Sequence, residues 1–108
     1  MKVGSEFFGP TAEAAAKLVD NATKVSGRAD NDWALKLDRK AEGQYPIALV
    51  AYAIACEEYK DAAKGTQVKS FLKHFASTDV QKGLEEIGYA PLPKEVEDKV
   101  LTAIDALS

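Results

Sequence analysis

From Tyr45 to Cys56 the chain reads Tyr-Pro-Ile-Ala-Leu-Val-Ala-Tyr-Ala-Ile-Ala-Cys, twelve residues without a charge. Glu42 and Gln44 stand before it, and Glu57, Glu58 and Lys60 after it. In extended form Tyr45, Ile47 and Leu49 face one way, and Val50, Tyr52 and Ile54 the other. Strands that are apolar on both faces are those covered above and below, as in α/β sheets. The stretch is too short for a membrane span, which takes about 20 apolar residues. It is also longer than an ordinary strand, because at about 3.3 Å per residue it reaches ~40 Å. Pro46, with its fixed φ and no N–H, belongs at the start of such a strand. A strand of this reach can cross from one packing unit into another.

The rest of the chain has the make-up of a single soluble domain. It has 108 residues, 46% hydrophobic and 29% charged, which is globular rather than disordered. The formal charge of −3, with basic residues spread evenly, leaves no footprint for nucleic acid. A single cysteine, Cys56, excludes an internal disulfide and a thiolate metal cluster. At the end of an apolar strand it reads as a small, inert core thiol. The opening residues, Met1 to Glu6, hold no long apolar region and do not form a signal peptide. That fits either a cytoplasmic protein or a chain that begins inside a longer one.

In chain order, Phe7 to Thr11 turns from a strand end or loop into a helix. Thr11 is its predicted N-cap, and Glu13 sits where the helix dipole favours a negative charge. The helix is expected to run to about Lys24, with Ala14, Ala15, Leu18, Val19 and Ala22 as its apolar stripe. Residues 26–32 read as a turn and Trp33 to Asp38 as a short strand. Arg39 to Gln44 then leads into the apolar stretch. Glu57 to Lys64 reads as a charged linker, with Thr66 capping a helix whose buried face is Val68, Phe71, Leu72 and Phe75. His74, the only histidine, flanks that face as a surface residue. Ser77-Thr78-Asp79 breaks the helix and caps the next, and Gly88 fits its left-handed C′ position. Pro93 opens a final helix from about Lys94 to Leu107, with Val96, Val100, Leu101, Ile104 and Leu107 buried.

No chemistry-bearing motif appears. The chain lacks phosphate-cradling glycine loops, a His-Glu-x-x-His pair and a Gly-x-Ser-x-Gly elbow. Glu57/Glu58 and Glu85/Glu86 are neighbours in sequence and read as solvated charge. The residues alone describe an α/β or α+β piece with no catalytic residue, no metal site and no cofactor.

Several blocks, in order, resemble the C-terminal part of the phosphate-binding protein of the phosphate ABC importer. They are Tyr45-Pro46-Ile47 opening the long strand, Gly65-Thr66-Gln67-Val68 with Phe71-Leu72, and Gln81-Lys82. The most specific is Gly88-Tyr89-Ala90-Pro91-Leu92-Pro93, followed by a helix through Val100 and Ile104. Upstream, Phe8-Gly9-Pro10-Thr11-Ala12-Glu13 is similar to the family's loop into an alanine-rich helix. The resemblance implies a partial periplasmic-binding-protein-like lobe, a short sheet with one long two-sided apolar strand and about four helices. Residues 1–44 would belong to the second lobe, 45–56 to the crossing with Tyr45, Pro46 and Ile47 at the hinge, and 57–108 to the first lobe. Family members are about three times longer, and their phosphate-holding groups lie in earlier segments, so no phosphate-binding residue carries over to this chain. The resemblance implies non-catalytic binding of inorganic phosphate by a full-length parent outside the cytoplasm, with a membrane permease as partner. A piece of that kind leaves apolar faces uncovered, so self-association or pairing with the missing N-terminal part is expected. The alternative is a free-standing α/β interaction module with a closed core and no ligand.

Overall fold

A computed structural model describes all residues, Met1–Ser108. Two minimal hairpins and four helices alternate along it. β1 (Lys2–Val3) pairs antiparallel with β2 (Glu6–Phe7), placing Lys2 opposite Phe7 and Val3 opposite Glu6. α1 spans Ala12–Asp20. β3 (Thr23–Lys24) pairs antiparallel with β4 (Leu35–Lys36). α2 (Ala62–Phe75), α3 (Thr78–Gly83), a 3-10 turn (Leu84–Ile87) and α4 (Lys94–Asp105) make up the second half. No helix is long and apolar enough to cross a membrane.

α1 begins where its cap is expected. The Thr11 hydroxyl accepts from the Ala14 N–H at 3.2 Å, and Glu13 lies in the first turn. Alanine propensity carries the helix forward, and Ala14 and Leu18 are buried. It stops at Asp20 rather than near Lys24. Thr23 and Lys24 are instead drawn into the second hairpin, which Val25 extends by donating to the Ala34 carbonyl at 2.9 Å. A β-branched residue at 23 fits that ladder better than a helix.

α2 starts four residues before the expected cap. Asp61, not Thr66, is its N-cap and accepts from the N–H groups of Ala63 and Lys64. Thr66 is inside the helix and donates its hydroxyl to the Ala62 carbonyl at 3.0 Å. The face turned inward is set by small residues. Gly65 and Ala76 are buried, while Phe71 and Phe75 are 65% and 46% exposed. Those two rings stack on each other with centroids 6.4 Å apart. The aromatic stripe expected in the core therefore looks outward, because no second layer of this chain covers it.

The remaining helices pack on α2. Lys69 Nζ donates to the carbonyls of Asp105 (2.7 Å) and Leu107 (3.1 Å), and Lys73 pairs with Asp105. Gln81 is buried; it donates to the Phe75 carbonyl and accepts from the Leu92 N–H. Glu97 is buried beneath Thr78, whose hydroxyl donates to it at 2.7 Å. Gly88 takes φ +87°, the left-handed conformation expected at the end of the preceding turn. α4 follows Pro93 directly and buries Ile104.

The long apolar strand does not form. Residues 45–56 pair with nothing in the two sheets. Leu49 and Ile54 are each 95% exposed and Ile47 is 62% exposed. A strand exists only as a partner in a ladder, and both hairpins are too local to supply one. Cys56, expected in the core, is exposed for the same reason. Only nine of the 108 residues are buried. The accessible surface of 7726 Å² exceeds the ~5,800 Å² of a folded chain of this mass. The radius of gyration, 15.6 Å, likewise exceeds the ~13 Å of a closed domain of this length.

Candidate functional site

Tyr45, Pro46 and Ile47, expected at the hinge, leave the first half of the fold through a built junction. The Tyr45 N–H donates to the Ala14 carbonyl at 3.0 Å, which ties the start of the ribbon to α1. One residue earlier, Gln44 is fully buried. Its Oε1 accepts from Asn21 Nδ2 at 2.9 Å, and its Nε2 donates to the Asp38 carbonyl. Gln44 thus joins the end of α1 to the loop after β4. A buried amide with both ends paired sets the position of its neighbours, since leaving either end unpaired is expensive. Arg39 adds a second clasp: one guanidinium nitrogen donates to the carbonyls of Pro46 and of Ala48, the latter at 3.3 Å. Sequence reasoning missed both residues, because a glutamine or arginine next to an apolar run normally reads as a solvated flank.

Past this junction the ribbon is staked only through tyrosine hydroxyls and its far end. The Tyr52 hydroxyl accepts from the Leu35 N–H at 3.1 Å, and the Tyr59 hydroxyl from the Cys56 N–H at 3.1 Å. Beyond it, Ser108 donates to the Glu57 carbonyl at 3.0 Å and accepts from the Tyr59 N–H at 3.2 Å. At the start of the ribbon, beside the Arg39 clasp, lies a wide cleft of about 560 Å³, lined by Met1, Arg39, Pro46, Ile47, Ala48 and Leu49. It is apolar apart from the guanidinium. Leaving Ile47, Leu49 and Ile54 in water forgoes roughly 4.5–9 kcal/mol, at about 1.5–3 kcal/mol for each side chain. That is comparable with the whole stability of a small domain, about 5–15 kcal/mol.

The other sequence candidates lie apart from this junction. The Thr11 hydroxyl is engaged in capping and that of Thr66 in its own helix. His74 is exposed on α2. No group of three or more His, Cys, Asp and Glu side chains is placed to hold a metal ion. Charge is paired locally on the surface. Hydrogen bonds from Arg28 and from the Ala34 N–H hold the Asp32 carboxyl below its ordinary range and close the turn at 26–32. Lys73 does the same to Asp105, and Asp98 raises the Lys94 ammonium. These are structural ion pairs, and none faces the cleft.

No protein-family model matches the chain, and no solved structure matches it. Curated proteins do. The phosphate-binding protein PstS 3 of Mycobacterium tuberculosis is 36% identical over 102 residues, 91% of this chain. PstS 2 of the same species is 36% identical over 104 residues. PstS 3 of Mycobacterium leprae is 39% identical over 66 residues, 61% of this chain. The chain spans 27% of the length of the two M. tuberculosis relatives and 18% of the M. leprae one. By sequence this chain is a PstS-like segment, homologous to part of the phosphate-binding proteins.

Proposed function

We propose that the chain is the C-terminal portion of an extracytoplasmic phosphate-binding protein that delivers inorganic phosphate to the membrane permease of an ABC importer. In this reading residues 1–44 belong to one lobe, 45–56 cross between lobes, and 57–108 belong to the other. Tyr45, Pro46 and Ile47 form the hinge end of the crossing, held by Gln44 and Arg39. The segment contributes wall and hinge, and the phosphate ligands come from the rest of the polypeptide. The role is binding and transport, not catalysis.

The observation that carries the reading is the pairing of 36% identity over 91% of the chain with a ribbon whose aliphatic side chains stand in water. A free-standing module would bury such residues, so the alternative of a closed interaction domain is disfavoured. In the longer polypeptide the ribbon would be covered on both faces and paired at its edges.

A chimaera tests this. In M. tuberculosis PstS 3 the matching segment is replaced by residues 1–108, and phosphate binding is measured by calorimetry. The expected result is a folded chimaera that binds phosphate, while the isolated chain binds it more weakly than about 1 mM. A folded chimaera without phosphate binding overturns the proposal. So does tight binding by the isolated chain, which would place ligands within it.

A further inference from the structure

We propose that the two halves of this chain are separate bodies that swing about Ala53–Ala55, and that the swing opens and closes a cleft between Trp33 and α4. The motion is a property of this chain by itself and does not depend on the phosphate reading. Under that reading, the same pivot is where the crossing bends.

The pivot is located by where the hydrogen bonds of the ribbon lead. Up to Tyr52 each of them leads back to the first half. The Tyr45 N–H donates to the Ala14 carbonyl, and Arg39 donates to the carbonyls of Pro46 and Ala48. The Tyr52 hydroxyl accepts from the Leu35 N–H at 3.1 Å. From Cys56 onward each of them leads to the second half. The Cys56 N–H donates to the Tyr59 hydroxyl, and Ser108 joins the Glu57 carbonyl and the Tyr59 N–H. Between these two sets, the N–H and C=O groups of Ala53, Ile54 and Ala55 have no protein partner. Their side chains add no restraint, since Ile54 is 95% exposed and each alanine carries only a methyl group. A few untied residues between two held segments are what absorbs the φ/ψ change of a hinge. Tyr45, Pro46 and Ile47 therefore travel with the first half.

Away from the ribbon the bodies are not linked. No hydrogen bond or ion pair joins residues 1–44 to residues 57–108. Each body is tied within itself. Gln44 binds Asn21 and Asp38 in the first, while Lys69, Lys73 and Gln81 bind across the helices of the second. Asn31 and Trp33 face Asp98, Lys99, Thr102 and Ala103 of α4 across a wide cleft of about 270 Å³. With bonds inside each half and none across, rotation about the pivot breaks no hydrogen bond, and this cleft is the gap it widens or narrows.

Spin labels test the inference on the intact chain, in a Cys56→Ser background. Labels at Lys17→Cys on α1 and Glu95→Cys on α4 read the distance between the bodies by pulsed electron paramagnetic resonance. The pairs Lys17→Cys with Lys36→Cys and Gln67→Cys with Glu95→Cys read each body alone. The expected result is a broad distribution between the bodies and narrow ones within them. Ala55→Gly, which frees the backbone at the pivot, should broaden the distribution between the bodies further. Ala51→Gly lies in the held stretch and should leave it unchanged. Tyr52→Phe removes the bond to Leu35 and extends the untied stretch back to Leu49, so in that background Ala51→Gly should broaden it too. A distribution between the bodies as narrow as those within them overturns the inference. So does equal broadening by Ala51→Gly and Ala55→Gly, or no effect of Ala51→Gly in the Tyr52→Phe background. None of these readings involves phosphate, so their outcome is separate from that of the chimaera.

Discussion

Gly65, in the first turns of α2, lies directly beneath the terminal residue Ser108: a Cβ built on Gly65 would stand 3.0 Å from the Ser108 carbonyl oxygen. A glycine inside a helix normally costs about 1 kcal/mol relative to alanine. Here it admits the chain end, which bridges Glu57 and Tyr59. Gly65→Ala should therefore fail to deliver the usual gain of about 1 kcal/mol, because Ser108 has to be displaced. Amide exchange checks this, with protection at Tyr59 and Ser108 expected to fall while that of mid-helix amides in α2 is kept.

Gln44→Ala should be costly for a residue with no catalytic role. It removes the two hydrogen bonds to the exposed Asn21 amide and Asp38 carbonyl and empties a fully buried side-chain site, a loss of about 0.5–1.5 kcal/mol for each bond. Urea denaturation monitored at Trp33 would show it as a lower midpoint, and Gln44→Glu should not restore stability, since it removes the donor to Asp38.

Thr11→Ala removes the hydroxyl that accepts from the Ala14 N–H. The expected cost is about 1 kcal/mol, and Thr11→Ser should recover most of it. Thr66→Ala should be nearly neutral, because that hydroxyl only bonds back within its own helix. Comparing the two pairs by thermal melting separates a capping threonine from a mid-helix one.

The Lys73–Asp105 pair makes the α2–α4 contact sensitive to acid. Lys73 holds the Asp105 carboxyl below its ordinary value. The folded state therefore favours the ionised form, and the pair's contribution is fully present above about pH 4. It is lost as the pH falls below that and passes through the depressed folded value. The melting-temperature gap between the native chain and Asp105→Asn should be widest near neutrality and close toward pH 3 or so. A gap that widens in acid would contradict the pairing.

Leu49→Lys separates the isolated chain from its proposed parent. Leu49 is 95% exposed, so the substitution should change the stability of the isolated monomer by no more than about 0.5 kcal/mol. In the PstS 3 chimaera, where the ribbon is proposed to be covered, the same lysine should abolish folding or phosphate binding. Equal tolerance in both settings would argue against a covered ribbon.

Local chemistry was legible in the sequence where it is complete within a few residues. Thr11 as a cap, Gly88 in a left-handed turn and Pro93 before α4 each depend on near neighbours and are found in place, whereas Ser77 precedes α3 but turns its hydroxyl back to the His74 carbonyl without capping the helix. The start of α2 was missed because Asp61 was hidden among Glu57, Glu58 and Lys60 and read as linker. The apolar periodicities of Phe71 and Phe75 and of Tyr45–Cys56 were real, but periodicity records which residues are suited to burial, not whether a covering layer is at hand. Both point away from the small core of this chain. Gln44 and Arg39 went unrecognised because their partners, Asn21 and Asp38 for one and the ribbon carbonyls for the other, become neighbours only once the fold is formed.

The exposure of the ribbon also decides how this chain would be cut. No lysine or arginine lies between Lys40 and Lys60, so trypsin has no target there. An elastase-like enzyme, which prefers small aliphatic residues, would find Ala48, Ala51, Ala53 and Ala55 in an open segment that fits a protease cleft. Limited digestion should therefore yield two lasting pieces: one carrying both hairpins and α1, the other carrying α2 to α4.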